Sequence, residues 1–380
     1  MTEPGPARAE IVVDLAAVRH NVRRLAELVA ADGPVQMMTV VKADGYGHGM
    51  VPVARAARAA GAHWLGVATL DEALALREAG DTGPVLCWLA APGEDYAAAV
   101  EAGIDVTAYS VAELDEIAAA GPARVQVKLD TGLSRGGATR ADWEQVLGHA
   151  ADLERAGRVQ VTGLWSHLAA SDVPQHPAND QQEKAFREAL DLAEALGLRP
   201  EMRHLANSAA AILRPSARFD LVRCGIASYG LDPAPGETPA HLGLVPAMTV
   251  RAPLVMVKRI ARGDGVSYGH TWIADHDTTV GLVPAGYAEG VPRAASNEAS
   301  VWVAGKQRPI RGLVCMDQFV VDLGDDQAEV GDEVLLFGPG DRGEPTAQDW
   351  AEAVGTINYE IVTRVGGRLR RRYVDRAGAA

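Results

Sequence analysis

The chain has 380 residues, 48% hydrophobic and 23% charged, with 36 basic against 50 acidic side chains and a net charge of −14. That length accommodates two domains, and an acidic balance without a basic block excludes a nucleic-acid surface. No apolar run is long enough to span a bilayer, Met1–Glu10 has no signal-peptide core, and Cys87, Cys224 and Cys315 form neither a disulfide framework nor a metal site, so a reducing cytoplasm is the expected compartment.

Residues 1–9 read as a loose tail. Asp14 reads as the N-cap of a helix with Leu15, Val18, Val22, Leu25 and Leu28 on one face. From Val35 onward, short apolar runs alternate with Ala-rich amphipathic segments, separated by Gly or Pro. The expected strands are 36–41, 63–67, 85–89, 104–108, 124–129, 159–166, 201–205 and 219–223. Segments such as Asp71–Ala79 and Ser110–Ala120 have helical spacing, and Ser110 with Glu113 makes a capping box. Eight strands alternating with helices predict a closed (β/α)8 barrel over residues 10–240. An open doubly wound sheet is the alternative, but no Gly-x-Gly-x-x-Gly turn follows the first strand.

Around Pro233–Pro246 the helical pattern stops. Val- and Ile-rich runs at 248–260, 278–283, 300–303, 314–323 and 333–337 then predict a mostly β second domain over 241–380. A late helix, about Ala347–Val354, interrupts it, with Thr346 and Asp349 as its cap. The basic run Arg368–Arg372 reads as a solvated end.

In such a barrel, site residues belong at the C-terminal strand ends. The first strand ends in Lys42, before the Gly-flanked turn Ala43-Asp44-Gly45-Tyr46-Gly47. The fifth gives Lys128 and then Arg135, the sixth His167, the seventh His204 and Asn207-Ser208, and the eighth Arg223-Cys224-Gly225-Ile226. A lysine held at a buried strand end has the lowered pKa that Schiff-base chemistry needs; a lysine snorkelling into solvent is the plainer alternative. Strand-end histidines are often only hydrogen-bonded structural residues, yet a solvated face would not gather these cations at one rim. Asn207-Ser208 opens a helix, and Gly225-Ile226 offers backbone N–H groups where barrels bind phosphate. A phosphate facing a strand-end lysine suggests pyridoxal phosphate, with a sugar phosphate as the rival.

The run Val40-Val41-Lys42-Ala43-Asp44-Gly45-Tyr46-Gly47-His48-Gly49 resembles the cofactor-lysine signature of the alanine racemase family. The resemblance extends from about Val12 to Tyr373. It recurs at Lys128-Leu129-Asp130-Thr131-Gly132, Arg135, Arg223-Cys224-Gly225-Ile226, Val266-Ser267-Tyr268-Gly269, Cys315-Met316-Asp317-Gln318 and Tyr359.

This resemblance implies an isomerase that interconverts L- and D-alanine, supplying D-alanine for peptidoglycan. It implies a homodimer with shared active sites and no nucleic-acid or membrane partner. Lys42 would hold pyridoxal phosphate and serve as one catalytic base, with Tyr268 of a second subunit as the opposing base. Arg223 would donate to the pyridine nitrogen and keep it unprotonated, oriented by His167 with His204 behind. The resemblance gives the phosphate to Tyr46, Ser208, Gly225, Ile226 and Tyr359, with Asn207 beside them. Arg135 and the Met316 backbone N–H would hold the substrate carboxylate, and Lys128 matches a position carbamylated in many members. Tyr287 and Ile357 resemble residues of the family's access corridor, and Asp172 and Arg293 its outer ring. Leu313 departs from a common arginine, and Glu289 stands where aspartate is commoner. Three other readings stand beside this one. A barrel-fold decarboxylase is opposed by Arg223, a broader-specificity racemase by the lack of an export signal, and a non-catalytic carrier by the second domain.

Overall fold

The computed structural model describes residues 8–31 and 33–376. Of the expected loose tail, residues 1–7 lie outside this range. The other two residues are fixed: Arg8 donates to Glu289 Oε1 at 2.6 Å and Ala9 is buried.

The eight alternating units fold as a nearly closed parallel barrel. Its strands are Gln36–Val40, Trp64–Val67, Val85–Cys87, Asp105–Ala108, Ala123–Lys128, Val159–Trp165, Met202–His204 and Leu221–Cys224, each overlapping an expected strand. Every residue of the second, third, fourth and eighth strands is buried, as a sheet covered on both faces requires. The eighth strand pairs with the first. Between the seventh and eighth, single bonds join the chains: Asp220 N–H to Arg203 O and Arg223 N–H to Ala206 O, both 3.0 Å.

Local capping follows the residue types. Asp14 accepts from Ala16 and Ala17 N–H at the start of helix Leu15–Ala30. Ser110 caps Val111–Ala119 by accepting from Glu113 N–H, but the Glu113 carboxylate reaches one residue further back, to Tyr109 N–H at 2.6 Å. Thr346 and Asp349 close a full capping box on Ala347–Val354.

The second domain centres on a nine-stranded sheet. Its spatial order is Met256–Ile260, Thr278–Val283, Phe319–Gly324, Lys306–Arg311, Ser300–Val303, Glu333–Phe337, Met248–Pro253, Glu10–Asp14 and Arg370–Val374. Two expectations are corrected here. Glu10–Asp14, assigned to the barrel domain, instead pairs antiparallel with Met248–Pro253 and parallel with Arg370–Val374. Its three central residues are buried, and the far domain supplies the ladder their backbone needs. The basic run Arg368–Arg372 is no solvated end. Arg370–Val374 is a strand, and Arg371 reaches the turn after Lys42, donating to Gly47 O at 2.9 Å and pairing with Asp44 at 2.8 Å.

The expected run 248–260 breaks into two strands at Leu254-Val255, and 314–323 is strand only from Phe319. Its first half is the loop that carries Met316. Strand Lys306–Arg311, hairpin Gly265–Val266/Trp272–Ile273 and helix Asn358–Arg364 were not expected. Among the described residues, no helix is long and apolar enough to cross a membrane.

Candidate active site

Lys42 leaves the first barrel strand into a left-handed turn. Ala43, Asp44 and Gly45 have φ of 52, 52 and 63° with ψ of 45 to 52°, and Tyr46 follows at φ 52°. Each of the three non-glycine residues costs about 1–2 kcal/mol in this region. The surroundings impose it. Glu72 accepts from Ala43 N–H at 2.7 Å, Asp44 accepts from Met50 N–H at 2.9 Å, and Arg371 grips Asp44 and Gly47 O. At Gly47, with φ 79°, a Cβ would lie 2.2 Å from the Val362 carbonyl oxygen. Such strain around one lysine makes this turn a candidate site.

The turn opens a cavity of about 570 Å³ at the barrel's C-terminal rim. Lys42, Tyr46, Lys128, Arg135, His167, Asn207, Ser208, Arg223, Gly225 and Ile226 all line it, so the barrel residues expected at the site do meet, and Tyr359 of the second domain joins them. Glu360, Thr363 and Arg364, from the second domain's helix Asn358–Arg364, complete one wall.

Burial and the charges of Arg135 and Arg223 lower the Lys42 pKa, while Glu72 opposes them. Lys128 is pulled down to about 8, chiefly by burial and then by Arg223 and Arg135. It lies 4.7 Å over the Trp165 ring. His167 is held well below 6.5 by burial and by Arg223, Arg135, Lys128 and Lys42 in turn, so it is neutral. The cavity is therefore strongly positive and suited to anionic ligands.

Arg223 is surrounded by acceptors. It donates to His204 Nδ1 at 2.9 Å, Ser166 O at 2.8 Å, His167 Nδ1 at 3.0 Å and Leu205 O at 3.1 Å. Burial lowers it to about 9, which leaves it protonated at neutral pH. Behind it runs a buried relay. His204 Nε2 faces Gln126 Oε1 at 2.7 Å, and Gln126 Nε2 donates to the Asp105 carboxylate at 3.2 Å. Since Arg223 can only donate to Nδ1, the His204 proton sits on Nε2, and every bond points toward Asp105.

The phosphate-type donors are grouped opposite. Ser208 Oγ accepts from Gly225 N–H at 2.9 Å, and Asn207 caps the short helix Ser208–Leu213. A Cβ on Gly225 would lie 2.4 Å from Tyr46 Oη, so only glycine allows this cradle. Burial raises the pKa of both Tyr46 and Tyr359, leaving neutral hydroxyl donors. A lysine of lowered pKa, a protonated arginine and a ring of neutral donors fit a phosphorylated aldehyde.

The other expected residues lie elsewhere. Tyr268 is 73% exposed and Met316 53%, and neither lines the Lys42 cavity. Tyr268 projects from a turn whose preceding residue, Ser267, has φ 63° and donates to Leu313 O at 2.7 Å. Tyr287 and Arg293 are exposed on the same domain. Asp172 lines a neighbouring cleft of about 780 Å³ that meets the lysine cavity at Ile357 and Tyr359. Three further residues bear on the site: Trp88, which lines the cavity with its ring 5.7 Å from Lys42 Nζ, and Gln126 and Asp105 of the relay. A glutamine alternating with valines inside a barrel strand was the available signal for the relay.

Comparison with known proteins agrees with this architecture. The family model described as alanine racemase, N-terminal domain, matches residues 13–233, and alanine racemase, C-terminal domain, matches 247–373. An alanine racemase of Frankia casuarinae is 56% identical over 373 residues, 97% of this chain and 96% of that protein. The crystal structure of alanine racemase from D-cycloserine producing Streptomyces lavendulae superposes with a TM-score of 0.96 at 51% identity, covering 98% of this chain and 99% of that one. That of Bartonella henselae, solved with covalently bound pyridoxal phosphate, has a TM-score of 0.87 at 29% identity and covers 97% and 100%. With both domain models matched in order and its barrel site assembled at the expected rim, the chain belongs to the alanine racemase family.

Proposed function

We propose that the protein is a pyridoxal-phosphate-dependent alanine racemase acting as a homodimer with shared active sites. One observation carries this reading: a lysine of lowered pKa and an arginine held protonated by neutral acceptors line the same positive cavity. When bound, the cofactor supplies the carbonyl that takes up the amino acid and the electron sink that acidifies its α-hydrogen.

The chain's own residues do the rest. Lys42 carries the cofactor and moves the proton on one face; Tyr268, from a second copy of the chain, moves it on the other. Tyr46, Ser208, Gly225, Ile226 and Tyr359 hold the phosphate, with Asn207 fixing the helix start. Arg223 would serve the cofactor ring as a hydrogen-bond donor, steadied by His167. Arg135 and the Met316 backbone N–H hold the substrate carboxylate. The exposure of Tyr268 and Met316 on an anchored turn and loop supports their presentation to a neighbouring copy.

Lys128 carries a carbamate. Its neutral amine adds to carbon dioxide, forming an N–C bond and releasing one proton. A pKa of about 8 supplies the neutral amine, and the nearby Arg135 and Arg223 charges favour the resulting anion. The enzyme works in the cytoplasm and supplies D-alanine for peptidoglycan; its three free cysteines accord with a reducing compartment.

The test incubates the purified holoenzyme with L-alanine and with a panel of other L-amino acids, read by chiral chromatography. Alanine is expected to racemise fastest. Retention of its handedness by cofactor-loaded protein, with another amino acid racemised or carbon dioxide released, would sink the reading.

A further inference from the structure

The loop that carries Met316 and the end of the helix that carries Tyr359 meet around one buried residue, Glu289. Glu289 has a fully buried side chain. Its Oε1 accepts from Arg8 at 2.6 Å and from Arg368 Nε at 2.5 Å, while Oε2 accepts from Gly286 N–H at 2.9 Å. Arg368 then reaches on with its Nη2 to Asp317 at 2.6 Å, the residue after Met316.

The backbone closes the same junction. Tyr287 N–H donates to Cys315 O and Ala288 N–H to Met316 O, both at 3.0 Å. A Cβ on Gly286 would lie 2.3 Å from each of those carbonyl oxygens. On the opposite side, a Cβ on Gly290 would lie 2.1 Å from Arg364 O, the last residue of helix Asn358–Arg364. Gly366 N–H donates to Glu289 O at 3.1 Å. One end of this junction walls the chain's own cofactor cavity. The other end is the exposed Met316 loop, which does not line it.

We infer that Glu289 and Arg368 form a positioning clamp that sets the Met316 backbone for the neighbouring subunit's substrate and ties it to the Tyr359 wall of the chain's own site. This rests on the shared-site reading above. Glu289 and Arg368 do not line the Lys42 cavity, so the clamp acts only through the Met316 backbone that it positions. The planar Arg368 fork is what bridges two carboxylates at once, which a lysine point charge does not reproduce. Without Arg368, Glu289 keeps Arg8 and the Gly286 N–H, but Asp317 loses its tie to the buried carboxylate, so the loop shifts when the clamp opens.

The test uses holoenzyme. Arg368→Gln changes a half-exposed side chain and leaves Glu289 its Arg8 and Gly286 partners, so the fold is retained; Glu289→Gln is the second variant. Visible cofactor absorption and light-scattering mass should match wild type. KM for L-alanine should rise about tenfold with kcat changed less than about threefold. Two heterodimers then assign the effect. Where a Lys42→Ala chain also carries Arg368→Gln opposite a wild-type chain, the surviving site borrows the altered loop and KM is raised. Where the Lys42→Ala chain is otherwise intact and its partner carries Arg368→Gln, KM is that of wild type. Unchanged KM in both single variants, equal KM in the two heterodimers, or the reverse assignment overturns the clamp. Wild-type protein that racemises alanine as a monomer would instead overturn the shared-site reading.

Discussion

Lys42 and Arg135 show how single residues would set the proposed chemistry. After burial, the Arg135 charge is the largest influence holding the Lys42 amine below its ordinary range, with Arg223 behind it and Glu72 opposing. Removing that cation raises the lysine pKa toward its usual value, because the protonated amine loses a repulsive neighbour. In apo-protein only the neutral amine captures the cofactor, so the capture rate rises with pH through this pKa. The Arg135→Gln variant should shift that profile to higher pH. The check is the rate of appearance of bound-cofactor absorption on adding pyridoxal phosphate across a pH series. A profile that stays put or moves to lower pH would contradict the electrostatic assignment. Arg223 cannot be probed so simply, because its four acceptors and the relay to Asp105 make it structural as well as functional.

At the scale of elements, the turn after Lys42 is where backbone geometry and site coincide. Gly47 sits at φ 79° with no room for a Cβ beside Val362 O. Gly61, at φ 98°, faces open space. Gly61→Ala should cost about 1–2 kcal/mol of conformational strain alone. Gly47→Ala should cost about 3 kcal/mol or more, because the second domain's helix must also move. Denaturant melts of the two variants give the comparison; equal losses would remove the close approach as a cause. Most barrel elements are legible because most strands are apolar runs set off by Gly or Pro and several helices keep a 3.6 period; Met202–His204 is a strand despite its arginine and histidine. Lys306–Arg311 was not, since Lys306-Gln307-Arg308-Pro309 reads as a polar turn; Arg308 is buried only through its bonds to Leu323 O and Asp326. Helix Asn358–Arg364 escaped because seven residues give too little periodicity, although Tyr359 within it was singled out.

Across the whole molecule, the domains are tied by segments far apart in sequence. Glu10–Asp14 starts the chain inside the second domain's sheet, and Arg371 at its other end grips the turn after Lys42. Neither tie was visible beforehand, because a five-residue strand's partner is a matter of long-range pairing and not of local pattern. The barrel half of the site was readable, as its residues fall at consecutive strand ends. The other half is legible only through the family resemblance; Tyr268 and Met316 are exposed and do not line the Lys42 cavity, and their service to a second copy is the reading proposed above.

The proposed division of the site between two chains makes a quantitative prediction. Lys42→Ala and Tyr268→Ala homodimers each lack one base at both sites. In a heterodimer of the two, one site has both defects and the other has neither. With random pairing, half the dimers are mixed and each has one of two sites intact, so co-expression should restore about a quarter of wild-type activity. Each variant alone should be severely impaired. Activity in the mixture no greater than the mean of the separate variants would place Tyr268 in the same chain's site, or outside catalysis altogether. Restoration would fix the two opposed bases on different subunits, and would make dimer dissociation a direct route to inactivation, visible as specific activity that falls with dilution.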